Sequence, residues 1–250
     1  AFGGAIYNNS NSYAKIGSIT ADFIGNYVYA IGNSAGGAIY NINNSNAIGL
    51  ISGDFINNHV ISAADASGGA IYNTAVANGL ASGTYSGNYV QGNNAYGGAL
   101  YNTSNISNGI KNVSFIDNYA HAEEGGTAQG GAIYTTYDLN IIADKKDVVF
   151  TGNQSGIDEN SLTSNAIHND KGIINLNAGD SKIIFNDRIT STNSEGVINI
   201  NNAGDWDNAD NAQTPDGNKI PVSAPVGGTI VLNNNMNDYK GGVNLYGGTI

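Results

Sequence analysis

The sequence predicts an all-β chain wound as a parallel β-solenoid of about eight coils. Three observations carry that expectation. The phrase Gly-Gly-Ala-Ile-Tyr-Asn returns along the chain at a nearly constant interval. A second phrase, an aromatic followed three residues later by Asn, trails each copy. Short apolar segments alternate inward and outward between Gly and Asn turns.

The first phrase runs Gly3 to Asn8, Gly36 to Asn41 and Gly68 to Asn73. It becomes GGALYN at Gly97 to Asn102 and GGAIYT at Gly130 to Thr135. The intervals are 33, 32, 29 and 33 residues. A period of this size with small jitter belongs to a solenoid whose turns vary in length. The aromatic-Asn pairs are Phe23 and Asn26, Phe55 and Asn58, Tyr85 and Asn88, Phe115 and Asn118, Phe150 and Asn153. Each aromatic lies 17 to 20 residues after the start of its Gly-Gly phrase.

Helical repeats are excluded by chemistry. Gly, Asn, Ser, Thr and β-branched residues dominate, and all of them disfavour helix. Alternation argues for strands instead. Ile174 and Leu176 share a face, as do Ile198 and Ile200, and Ile230 and Leu232. A strand recurring once per coil stacks on its own copy, about 4.8 Å away. Like residues then form ladders, Phe on Phe and Ile on Ile. Asn ladders satisfy the polar groups of the bends. Aligning GGAI with Gly227 to Ile230 turns Ile6, Ile39, Ile71, Leu100 and Ile133 inward. Tyr7, Tyr40, Tyr72, Tyr101 and Tyr134 then form an outward column, a hypothetical binding face. The alternative is the opposite phase, with Ala and Tyr inward.

Two regions follow. Residues 1 to 155 hold five regular coils. Residues 156 to 250 continue as irregular coils, broken by a loop insertion at about 202 to 227 that carries all three prolines and the only tryptophan. The repeat is already running at residue 1 and still running at residue 250, so a fragment of a longer chain is expected.

Composition limits the function classes. Only 12% of residues are charged, the net charge is -11, and Arg188 is the only arginine. A nucleic-acid partner is disfavoured, since phosphate binding needs a basic stripe. The chain has no cysteine, which removes disulfides and thiol chemistry. His59, His121 and His168 stand far apart in sequence, which disfavours a zinc site. In the insertion, Asp205, Asp207, Asp210 and Asp216 offer oxygen ligands of the kind calcium takes, without EF-hand spacing. The competing reading is a solvated acidic loop, and no cofactor is otherwise expected. Asp22 and Asp54 would stack one strand apart, but Thr84, Ser114 and Val149 continue that column, so no carboxylate pair is maintained for hydrolysis.

The paired phrases resemble the repeats of chlamydial polymorphic outer membrane proteins and, more broadly, autotransporter passenger domains of Gram-negative bacteria. The resemblance covers residues 1 to 155 most closely. It implies a right-handed parallel β-helix displayed at the cell surface, adhesive rather than enzymatic, with a membrane barrel outside this segment. A host-cell receptor or glycan is the implied partner. The alternative is an extracellular carbohydrate-active β-helix enzyme, lyase or hydrolase, or a phage tail-spike segment.

Overall fold

A computed structural model describes residues 1–9, 16–42, 48–201, 227–234, 239–247 and 249. The chain is an all-β parallel solenoid, and among the described residues the only helical piece is the short 3-10 turn Glu159–Ser161. The last residues of each Gly-Gly phrase form the first sheet. Its strands run Ile6–Asn8, Ile39–Asn41, Ile71–Asn73, Leu100–Asn102, Ile133–Thr135, Ile167–Asn169 and Ile189–Thr190. Register is exact in kind: Ile pairs with Ile or Leu, Tyr with Tyr, Asn with Asn, coil after coil. A long second sheet includes Ala77–Ser86 and Ile110–Ile116 and carries the motif aromatics. A third sheet starts just after each motif Asn, with Tyr27–Ala30, His59–Ser62, Tyr89–Gly92, Tyr119–Ala122 and Gln154–Gly156. A fourth, of two-residue strands, precedes each Gly-Gly: Ser34–Ala35, Ala66–Ser67, Ala95–Tyr96 and Ala128–Gln129.

Both glycines of the phrase are required, for different reasons. The first, at Gly3, Gly36, Gly68, Gly97 and Gly130, has φ between 62° and 68°, a region that costs a side chain strain. The second has no room for a Cβ. At Gly69 it would collide with the carbonyl of Gly98 in the next coil and with the backbone of Tyr89, the residue after a motif Asn. Gly37, Gly98 and Gly131 repeat this contact against His59, Tyr119 and Gln154. The two phrases therefore touch across the solenoid and pinch it into a waist.

The waist separates two cores. Residues between Gly-Gly and the motif Asn fill the larger one, which includes Ile39, Ile71, Leu100, Ile133 and the column Phe23, Phe55, Tyr85, Phe115, Phe150 and Phe185. Their centroids follow one another at 4.4 to 5.1 Å, stacked face to face except at Tyr85, which is tilted against Phe55 and meets Phe115 edge-on. Residues between the motif Asn and the next Gly-Gly fill a thinner core of Val28, Val60, Val90 and several alanines. The expected phase holds for the phrase: Ile39, Leu100 and Ile133 are fully buried, and the tyrosines take the other face. Ala38, Ala70, Ala99 and Ala132 are buried too. The N–H groups of Ala38 and Ile39 both donate to the carbonyl of Ala70, each at 2.9 Å, so the strand bulges and two successive residues turn inward.

The number of coils differs from the expected eight. Five turns include the strand after the motif Asn. After Gly156 the chain reverses, and Thr163–Ser164 pairs antiparallel with Gln154–Gly156. Among the described residues the later turns use the first two sheets: Ile167–Asn169, Ile173–Ala178 and Lys182–Phe185 lead directly to Ile189–Thr190. Dropping the third and fourth sheets shortens the turn, and the long sheet stacks on through Val197–Ile200, Thr229–Leu232 and Gly242–Leu245.

Candidate functional site

Repeated side chains in register build four ladders. Two point inward and are polar. In the motif ladder, the Asn58 side-chain amide donates to the Phe23 carbonyl at 2.8 Å and to Asn88 Oδ1 at 3.0 Å. Asn88 and Asn118 repeat the pattern on Phe55 and Tyr85. Asn26 joins it at one end, donating to Asn58 at 2.8 Å. At the other end Asn153 donates to Asp187 Oδ2 at 2.7 Å. Asp187 is itself buried and also accepts the backbone N–H groups of Gly152 and Asn153. An amide both donates and accepts, so it can pass a ladder on. A carboxylate only accepts, so it ends one.

The second polar ladder closes the Gly-Gly phrase and was not anticipated as a site. Asn8, Asn41, Asn73 and Asn102 pass amide hydrogen bonds upward at 2.7 to 2.8 Å. The recurring final Asn of the phrase was the available signal. Thr135 breaks the series. Its hydroxyl turns to the Tyr137 backbone, and the buried Asn102 Nδ2 is left with no hydrogen-bond partner.

The other two ladders point outward and are aromatic. Tyr7, Tyr40, Tyr72, Tyr101, Tyr134 and His168 stack at 4.8 to 5.8 Å, with ring planes within 13°. Tyr27, His59, Tyr89 and Tyr119 form the second stack at 4.6 to 5.5 Å. Stacking covers the ring faces and leaves edges and hydroxyls outward. In the first column Tyr40 and Tyr134 are buried, at 8% and 9% exposure, while Tyr72 and Tyr101 are half-buried, as are His59, Tyr89 and Tyr119 of the second; the end residues Tyr7 and Tyr27 are exposed in both. Phe2 packs on Tyr40, and Tyr96 packs on Tyr101 and Tyr134, from the adjoining fourth sheet. Burial, with the neighbouring phenols Tyr72 and Tyr7, pushes the Tyr40 hydroxyl up to about 12. Burial and Tyr101 do the same for Tyr72.

The first column ends in a polar cluster that local spacing did not reveal. His168 occupies a tyrosine position, in the stretch Ala166 to Asn169 that reads AIHN for AIYN. Its Nδ1 lies 2.8 Å from Thr190 Oγ1, and its Nε2 lies 3.2 Å from Asp170 Oδ1 and 3.0 Å from Thr192 Oγ1. The Tyr134 hydroxyl donates to Asp170 Oδ2 at 2.9 Å. Burial lowers the His168 pKa, opposed by Asp170. Burial alone would raise Asp170, but hydrogen bonds from Thr192 and Tyr134 and the facing His168 hold it below the usual carboxylate range.

Asp22 and Asp54 are bound into the winding. Asp22 Oδ1 accepts the Asp54 N–H at 2.9 Å, and Asp54 Oδ1 accepts the Thr84 N–H at 2.8 Å. They act as corner acceptors between coils rather than as an opposed acid and base. Asp205, Asp207, Asp210 and Asp216 lie outside the described residues. Among the described residues no group of three or more His, Asp or Glu stands close enough to hold a metal ion.

Comparison with known proteins fits this geometry. Residues 112–136 match the Chlamydia polymorphic membrane protein repeat. No curated protein and no solved structure matches the chain. The matched stretch holds the motif pair Phe115 and Asn118 and the next Gly-Gly, Gly130 and Gly131; its Tyr119 lies against Gly98 of the preceding phrase, and its Gly131 against Gln154. The chain is a parallel β-solenoid, one stretch of which matches the chlamydial polymorphic membrane protein repeat, and it is similar to an autotransporter passenger.

Proposed function

We propose that this segment is a surface-displayed passenger that adheres through its outer ladder faces. The single observation that carries the reading is the second aromatic column. Tyr27, His59, Tyr89 and Tyr119 repeat one outward group per coil on a rigid strand, with Tyr27 63% exposed. One weak contact per rung, repeated along a rod, adds by multivalency. The matched repeat belongs to a family associated with the bacterial outer surface and not to an enzyme family, which supports the same reading. A membrane barrel outside this segment would anchor it, and the receptor would be a host-cell protein or glycan. The column Tyr7, Tyr40, Tyr72, Tyr101 and Tyr134 contributes mainly rod stiffness, because Tyr40 and Tyr134 are buried and Phe2 and Tyr96 pack against it.

The test is binding of the purified segment to host cells and to a glycan array. Replacing Tyr89 and Tyr119 together by Ala is expected to weaken binding about tenfold, roughly 1.4 kcal/mol. Replacing Tyr72 and Tyr101 should act on stability first. Wild-type protein that binds no cell or glycan above an unrelated solenoid would remove the adhesive reading.

A further inference from the structure

We propose that the first tyrosine column is a one-electron oxidation site, with Tyr134 as the residue where oxidising equivalents come to rest and Asp170, backed by His168, as its proton acceptor. The ring contacts run unbroken from Tyr7 through Tyr40, Tyr72 and Tyr101 to Tyr134, at 5.3, 4.9, 4.8 and 5.1 Å. Among the described residues, Tyr134 is the phenol of this column that donates to a carboxylate.

The chemistry of a phenol makes that difference decisive. Losing an electron alone would leave a buried radical cation, and an unpaired buried charge is costly. Losing the proton first is closed at neutral pH, because burial holds the protons of Tyr40 and Tyr72 on up to about 12. Losing both together needs an acceptor within hydrogen-bond reach of the hydroxyl, and Asp170 Oδ2 stands at 2.9 Å. The step balances. An external outer-sphere oxidant takes one electron from the column and is reduced by one. The Tyr134 O–H bond breaks, its proton bonds to Asp170 Oδ2, and a neutral phenoxyl radical remains. The acceptor is held in place: Asp170 faces His168 Nε2 at 3.2 Å, and Gln129 donates to Thr192 at 3.3 Å behind the same ring. Oxidation is thereby drawn away from exposed tyrosines such as Tyr29, which is 73% exposed.

The experiment oxidises the whole segment with photogenerated tris(bipyridine)ruthenium(III) and reads the tyrosyl radical by freeze-quench paramagnetic resonance. Tyr134→Phe keeps the ring stack and should cut the radical signal at least about tenfold, and Asp170→Asn should do the same by removing the proton acceptor. Tyr29→Phe and Tyr27→Phe should leave it unchanged. Should Asp170→Asn fail to fold, heavy water serves instead: wild-type radical formation must slow, because the proton moves with the electron. A signal that survives Tyr134→Phe, or falls with Tyr29→Phe, overturns the proposal. So does an unchanged rate in heavy water.

Discussion

Up to Gly156 each turn passes through the waist, where a Gly-Gly phrase meets the residue after a motif Asn. Beyond Ile167 the described residues add no strand to the third or fourth sheet. The inner ladders register the change at once. Asn gives way to Asp187 in one and to Thr135 in the other, and the tyrosine column gives way to His168. A ladder residue must serve the coil on each side of it, so its identity reports whether a like coil follows. At Asp187 a side chain that only accepts takes over, and at Thr135 the hydroxyl spends its donor and its acceptor on Tyr137 of its own coil. The change shows both in single ladder residues and in the core: the thinner core ends near Ala128, while Ile and Phe of the larger one continue through both regions.

The comparison can be broken most severely at the waist. Gly98→Ala places a Cβ against the Gly131 and Tyr119 carbonyls, both backbone, so neither can step aside cheaply. A loss above about 4 kcal/mol is expected, in the exceptional class of single substitutions. Urea unfolding would measure it. An Ala tolerated at Gly98 would mean that the waist is not a constraint.

Asn88→Ala comes next. It removes the acceptor of the Asn58 N–H and side chain, the donor to Phe55, and the link to Asn118, all buried. About 3 kcal/mol should be lost, since each orphaned buried group costs about 1–3 kcal/mol. Hydrogen exchange should then quicken at Asn58, the neighbour left unpaired.

Asp187→Asn tests the terminator. One carboxylate oxygen accepts from Gly152 and the other from Asn153, so an amide would set an NH₂ against an N–H. A cost of about 2 kcal/mol is expected. The reverse experiment is Thr135→Asn, which extends the second ladder and offers Asn102 Nδ2 a partner. It should stabilise by about 1 kcal/mol, read as a raised urea midpoint. Unchanged stability in both variants would show that terminators are incidental.

The smallest effect lies in alkali. Tyr40 and Tyr72 are raised from an ordinary value of 10.0 to about 12. Between these values the unfolded chain gives up phenol protons that the folded chain keeps. The unfolded state then binds fewer protons, so stability is full below pH 10 and falls towards pH 12. Phenolate absorbance should rise in two stages, the exposed tyrosines first. A single stage would mean the column does not stay closed.

Much of this was legible in residue order. The Gly-Gly and aromatic-Asn phrases foretell the sheets, the inward Ile and Phe, and the outward tyrosines, because a stacked strand repeats its own pattern. Less was legible where two distant phrases meet. Nothing in Gly37 or Gly69 announces that its neighbour is the backbone after a motif Asn, some 20 residues away in sequence. Asp187 escaped notice because Phe185 and Asp187 are two apart, where the motif spacing is three. His168 escaped because its partners come from the returning strand Ile189–Thr190 and from Thr192. The expectation of about eight coils counted the irregular region after residue 155 as further coils, and about five full turns are present among the described residues.

The order of amino acids alone determined that this chain winds and which side chains it stacks, because a periodic pattern of turn formers and apolar residues can bury its core only against copies of itself. Tertiary structure decided how far the full circuit extends, which rings of a column are buried and which are open, and where a carboxylate meets a phenol. Those depend on the distance between coils and on what the adjoining sheet places over each face, and such distances are set only once the chain has closed on itself.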